Sequence, residues 1–153
     1  MDVKYNKTMI NQNELRIGNL VMGKHLSVKN TIEGYKIAQV NWNGSIMVEN
    51  RIGRFEEDME DDITPIPLTE EWLVKCGFVN EFTGHQEDDV MRLQIKKNFM
   101  IDYDLNYMQL AINQEGDIVD VDHIKYVHQL QNLHFALTDQ ELNIELRSIN
   151  EAM

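Results

Sequence analysis

Lys36-Ile37-Ala38-Gln39-Val40-Asn41-Trp42-Asn43-Gly44-Ser45-Ile46-Met47-Val48 is the stretch on which the first half of the fold turns. Ala38, Val40 and Trp42 alternate with their neighbours and share one strand face. Ser45 to Val48 reads as a second strand-like run. Asn43-Gly44 lies between the two, and both residues tolerate the positive φ that a two-residue hairpin turn requires. The spacing therefore predicts an antiparallel hairpin. Working outward toward the N-terminus, Leu20-Val21-Met22 after Gly18-Asn19 is a further short apolar run. Three or more short strands bent at glycines predict a small β-barrel-like unit over residues 14–63. Residues 1–13 are polar and without periodicity, and read as a flexible leader.

Beyond residue 55 the pattern changes. Glu56, Glu57, Asp58, Met59, Glu60, Asp61 and Asp62 form a dense acidic block, expected to be solvated and extended. Thr64-Pro65-Ile66-Pro67 holds both prolines of the chain and reads as an extended connector. Thr69 is a candidate N-cap, with Glu70 and Glu71 at the positive end of a helix that Gly77 ends after two turns. Leu68 and Leu73 suit a hydrophobic staple, and Trp72, Leu73 and Cys76 give the helix an apolar side. Asn80 to Asp89 reads as a loop. From Met91 the alternation returns: Leu93 with Ile95, then Phe99, Ile101, Tyr103, Leu105 and Tyr107 on one face, with Asp102, Asp104 and Asn106 on the other. Asn113-Gln114-Glu115-Gly116 reads as a turn into a last strand, Asp117 to Ile124. Tyr126, Leu130, Leu133 and Leu137 fall in one helical stripe, flanked by Val127 and Ala136. Thr138-Asp139-Gln140-Glu141 matches a capping box and predicts a final helical segment toward Arg147. The fold expectation is α+β: the barrel-like unit, then over 64–153 an antiparallel β-meander packed against the Tyr126 helix. The two units can share one core.

Composition bounds the function. The chain has 153 residues and a formal net charge of −12, with 42% apolar and 26% charged side chains. That is enough apolar content for a packed core. The charge is uneven. Residues 1–55 carry +4, residues 56–90 carry −11 and residues 91–153 carry −5. The acidic balance makes direct duplex DNA binding an unexpected role. No apolar run approaches the roughly 20 residues that cross a bilayer, no signal segment is expected in the polar Met1–Glu14 stretch, and a single Cys fits a reducing cytoplasm. No membrane partner is therefore expected.

No catalytic motif is present: neither a phosphate-cradling glycine loop nor a zinc-protease helix nor a nucleophile elbow. Ser27, Ser45 and Ser148 are the only serines and none has a triad context. Cys76 reads as a small buried hydrophobe. Asp117, Asp120, Asp122, His123 and His128 are the best metal candidates by residue type, but His123 points away from Asp120 and Asp122 on a strand, so a solvated strand face is the simpler reading. Asp102 and Asp104 form a similar pair. No enzyme, cofactor or metal is expected.

Candidate binding surfaces are two. His128, Gln131, Asn132 and Phe135 lie on the helix face opposite the apolar stripe, where an aromatic among amides suits partner contacts; the alternative is that another segment covers this face and the amides bond to backbone. The acidic block is the second, through Glu56, Glu57, Asp58, Glu60, Asp61 and Asp62. It is either solvated or presents phosphate-like charge to a basic partner, as a nucleic-acid mimic would. A third possibility is capture of a small nucleotide by Phe135, Tyr103 or Trp42 with Arg16, Arg51 or Arg54.

Three strings carry a resemblance. Ile124-Lys125-Tyr126-Val127-His128-Gln129-Leu130-Gln131-Asn132-Leu133-His134-Phe135-Ala136-Leu137-Thr138 resembles the C-terminal signature of a family that recurs in bacteriophages, prophages and mobile elements of gut bacteria. Glu14-Leu15-Arg16-Ile17-Gly18-Asn19 matches near the start, and Pro65-Ile66-Pro67-Leu68-Thr69-Glu70-Glu71-Trp72-Leu73 with Gly77-Phe78 in the middle. The family usually carries an aromatic where this chain has His134, and the acidic run at 56–62 is outside the shared pattern. The resemblance implies a phage or mobile-element origin and no activity. The expected function is a non-enzymatic accessory protein in the host cytoplasm, binding a host or phage protein, with an anti-defence role or acidic mimicry in view. A virion structural protein and a nucleotide-sequestering protein are the alternatives.

Overall fold

The computed structural model describes residues 10, 12–23, 35–41, 45–49, 53–58, 63–82 and 89–145. It is mixed α+β, with two five-stranded antiparallel sheets and two helices. The chain divides into two compact units. One comprises Met1–Pro67, Tyr126–Asn132 and Leu146–Met153, and the other Leu68–Lys125 and Leu133–Glu145. The boundary thus falls just after the second proline. The Tyr126 helix, which the sequence assigned whole to the second half, contributes its first turns to the first unit.

In the first unit a 3-10 turn over Gln12–Glu14 precedes β1 (Leu20–Gly23), β2 (Tyr35–Val40), β3 (Ser45–Glu49), β4 (Arg54–Asp58) and β5 (Ile63–Thr64). The sheet order is β4-β3-β2-β1-β5. The expected hairpin is present, since β2 and β3 pair antiparallel; its tip, Trp42-Asn43-Gly44, lies outside the described residues. The expected face is corrected. A register shift between Ile37 and Gln39 sets a bulge at Ala38. The extra residue brings Ile37 and Val40 to the same side. Ile37 is fully buried opposite Val48, while Ala38 is only partly covered. The core gathers Ile10, Leu15, Val21, Ile37, Ile46, Val48 and Ile63. Ile10 belongs to the stretch read as a loose leader, yet it is buried. β1 is shared, pairing through Leu20 and Val21 with β2 and through Met22 and Gly23 with β5. β4 and β5 end the sheet and do not pair with each other among the described residues, so the sheet is not closed into a barrel.

In the second unit α1 (Glu70–Lys75) starts as expected: the Thr69 hydroxyl accepts from the Trp72 amide at 3.2 Å. Trp72, Leu73 and Cys76 are buried, and Gly77 ends the helix at φ +94°. The loop expected at Asn80–Asp89 is corrected. Val79–Phe82 forms β6, paired with β7 (Asp89–Lys96), and only 83–88 lie outside the described residues. β6 is an edge strand, and an edge needs no apolar alternation to hold its pairing. β8 (Phe99–Asp104), β9 (Gln109–Gln114) and β10 (Asp117–Asp120) complete the meander β10-β9-β8-β7-β6. Met91 opposite Tyr103, and Tyr103 opposite Leu110, form its buried face. The alternation stops before Leu105 and Tyr107, because the Asp104 carboxylate accepts from the amides of Asn106 and Tyr107 and turns the chain. Tyr107 is exposed.

α2 spans Val127–Thr138. The capping box at Thr138 does not start another helix. Asp139 takes φ +58°, the Thr138 hydroxyl donates to His134 O at 2.8 Å, and residues 141–145 continue without helix. Its oxygen still accepts from Gln140 N at 3.1 Å, but the left-handed backbone at Asp139 turns the chain out of a helical path. Residues 146–147 lie outside the described residues.

Candidate functional site

The helix face read as a recognition surface is corrected first. His128 and Gln131 are 1% and 3% exposed, and they face residues 14–20 of the same unit. Gln131 bridges two backbone groups: its Oε1 accepts from Leu20 N at 2.8 Å and its Nε2 donates to Gly18 O at 3.1 Å. Asn132 Oδ1 accepts from Arg16 Nε at 2.8 Å and from Asn19 Nδ2 at 2.9 Å, while its Nδ2 donates to Glu14 O. Gly18 sits at φ +97°, which lets the chain reverse so that its amide donates to Ile37 O. The amides therefore satisfy a buried backbone, as the alternative reading held. Two of the strings that carry the family resemblance, Glu14–Asn19 and the helix, are tied to each other by this network. Phe135 is partly buried in the second unit.

His128 Nε2 lies 3.0 Å from Glu14 Oε2. Burial holds the imidazole below its ordinary value, and the Glu14 carboxylate opposes that shift only in part. Nδ1 is buried with no partner among the described residues. The neutral ring with its proton on Nε2, donating to Glu14, leaves only a lone pair unmatched, whereas the charged ring would bury an unpaired N–H. Tyr126 stacks near it, ring centroids 6.0 Å apart.

The acidic block divides. Glu56, Glu57 and Asp58 belong to β4, the outer strand of the first sheet, with Glu56 exposed. Glu60, Asp61 and Asp62 lie outside the described residues. The residues considered for nucleotide capture are placed as follows. Tyr103 is buried in the second unit's core, Arg16 is engaged with Asn132 in the first, and Arg54 pairs with Glu49 at 3.1 Å. Trp42 and Arg51 are outside the described residues. The Asp102 carboxylate is held by Arg92 through two contacts of 2.7 and 3.1 Å. Among the described residues no group of three or more His, Cys, Asp or Glu is placed to hold a metal, and no helix is long and apolar enough to cross a membrane. Burial pushes the Cys76 thiol up to about 12, which removes it as a nucleophile. A pocket of about 290 Å³ between the Lys97-Asn98 and Glu115-Gly116 turns is lined by Lys96 and Lys97 but also by Glu115, so it offers no single charge sign.

What remains is β10. All four of its residues are exposed, with Ile118 at 64% and Val119 at 62%. Among the described residues it pairs only with β9 and ends the sheet. Val121 N donates to Leu110 O at 2.8 Å, which fixes the ladder. Antiparallel bonds alternate, so Val119 and Asp117 also face β9, while the N–H and C=O of Ile118 and Asp120 face the open edge. Ile118 and Val119 lie within the strand expected over Asp117 to Ile124. The available signal was two adjacent apolar side chains between aspartates at a chain turn, which no periodicity argument separates from a buried strand. No family model, curated protein or solved structure matches the chain.

Proposed function

We propose that this chain is a non-enzymatic binding protein of phage or mobile-element type that docks a host or phage protein along β10. The observation that carries the reading is a strand edge that no other described strand pairs with, bearing two exposed aliphatic side chains. An open edge is a template for strand addition, and natural edges are normally blunted by charge, brevity or cover. β10 is short and flanked by aspartates, yet its centre is apolar. Ile118 and Val119 stand on opposite faces of the strand, so each offers one exposed aliphatic contact, which suits a short extended partner segment better than a broad interface. A differential capture tests the reading. Wild type and the Ile118→Lys/Val119→Lys variant are immobilised and exposed to host lysate, with thermal unfolding as the folding control. The partner is retained by wild type and lost on the variant. The same proteins held by both would refute docking at β10.

A further inference from the structure

We infer that the segment docking on β10 is an antiparallel strand with the pattern basic-apolar-apolar-basic, which rests on reading β10 as the docking edge. The outward backbone groups belong to Ile118 and Asp120, and an antiparallel partner must set its own outward residues against these. Reading along the partner, one residue then stands opposite Asp120, the next opposite Val119, the next opposite Ile118 and the fourth opposite Asp117. Lys or Arg at the first and fourth positions meets both carboxylates, and aliphatic residues at the middle two cover Val119 and Ile118.

Charge selects this occupant over a second copy of the chain. Residues 115–124 carry Glu115, Asp117, Asp120 and Asp122 and no Lys or Arg. Self-pairing must centre on Ile118, Val119 or Asp120. Centring on Asp120 sets the two copies' Asp120 directly opposite, and centring on Val119 sets them diagonally on one face. Centring on Ile118 avoids that contact but still brings together both copies' acidic segments without a compensating cation. A basic segment meets the same carboxylates with opposite charge, and steering adds to the encounter rate.

Fluorescence anisotropy on the full chain decides it, with a labelled Thr-Arg-Val-Ile-Arg-Thr peptide and its Glu-for-Arg counterpart at about 50 mM salt. The basic peptide binds saturably. Asp117→Lys/Asp120→Lys weakens it at least about tenfold and reverses the preference between peptides; the milder Asp117→Asn/Asp120→Asn weakens it in the same direction if the reversal impairs folding. Ile118→Pro removes an outward N–H while sparing the β9 ladder, and abolishes binding of the basic peptide. Equal binding of both peptides, each lost in Ile118→Pro, overturns the basic pattern but leaves edge docking standing. Basic-peptide binding that survives Ile118→Pro overturns strand addition itself. No binding up to about 1 mM overturns the basic pattern, and the lysate comparison then judges the edge alone.

Discussion

Replacing Gln131 by Leu isolates the bridge that ties α2 to the start of β1. Leu is close to Gln in size, so packing changes little. The substitution orphans two backbone groups. Leu20 N, on a residue 3% exposed, loses its acceptor at 2.8 Å, and Gly18 O loses its donor at 3.1 Å. A buried unsatisfied group costs about 1–3 kcal/mol. Gly18 is only partly covered and water recovers some of its share. The expected loss is about 2–4 kcal/mol. Urea unfolding by circular dichroism reads the total, and exchange of the Leu20 amide reads the site, where protection should fall about thirty- to several-hundred-fold. Gln131→Glu adds a signature that packing cannot mimic. Its carboxylate accepts from Leu20 but cannot donate to Gly18 O, so stability should recover on acidification as the neutral acid regains a donor. Gln94→Leu is the control, an exposed glutamine that donates to Lys96 O two residues along the same segment, with an expected change within about 0.5 kcal/mol. A Gln131→Leu variant equally close to wild type would refute the bridge.

Three further outcomes follow from the same geometry. The His128 ring sits below its ordinary 6.5, so the unfolded chain binds its proton first; its contribution to stability is complete above about pH 6.5 and declines as pH falls toward the folded value, so the advantage of wild type over His128→Gln in urea midpoint should shrink between about pH 7.5 and 5.5, and a widening gap would show instead a charged His128–Glu14 pair. Cys76, 1% exposed with its thiol pushed up to about 12, should resist an aromatic disulfide reagent in the native state and react with one equivalent in urea, and prompt native reaction would contradict its burial. Gly77→Ala should cost about 1–2 kcal/mol through the backbone, since φ is +94° and the new Cβ would meet Leu93 Cδ1 at an ordinary 3.5 Å; thermal unfolding at unchanged stability would refute the strain.

Local chemistry was legible where one residue type dictates one geometry. Asn43-Gly44 announced a hairpin, Thr69 a cap, Gly77 a helix end and Glu115-Gly116 a turn, whose φ values are +55° and +92°. Periodicity failed where tertiary context overrode it. The bulge at Ala38 shifts the buried set by one residue, and nothing in the alternation marks it. β6 is polar because it is an edge, so its pairing comes from β7 rather than from its own pattern. The polar face of α2 is buried because residues 14–20 supply complementary groups, a match visible only once the two strings are adjacent. His128 and Gln131 therefore looked like free recognition groups and are internal ties. β10 differs for the converse reason: apolar strand residues imply burial by default, and only the topology places Ile118 and Val119 on an exposed outer strand.

Two of the outer strands, β4 and β10, show what edge charge does. Both are acidic, and charge on an edge is a common defence against unwanted pairing. On β4 that explanation is sufficient for the described side chains: Glu56 is exposed and Arg54, opposite Glu49, forms a surface ion pair with it. On β10 it is incomplete. Asp117 and Asp120 repel a second acidic edge, yet the two positions between them carry exposed Ile118 and Val119, where a defended edge would place Lys, Thr or Glu at no packing cost. Charge that excludes self and aliphatic surface that rewards a partner are compatible only if the intended partner differs in sign. On the proposed docking, the aspartates act as a filter on which strand adds, and the two aliphatic side chains supply the gain once it does.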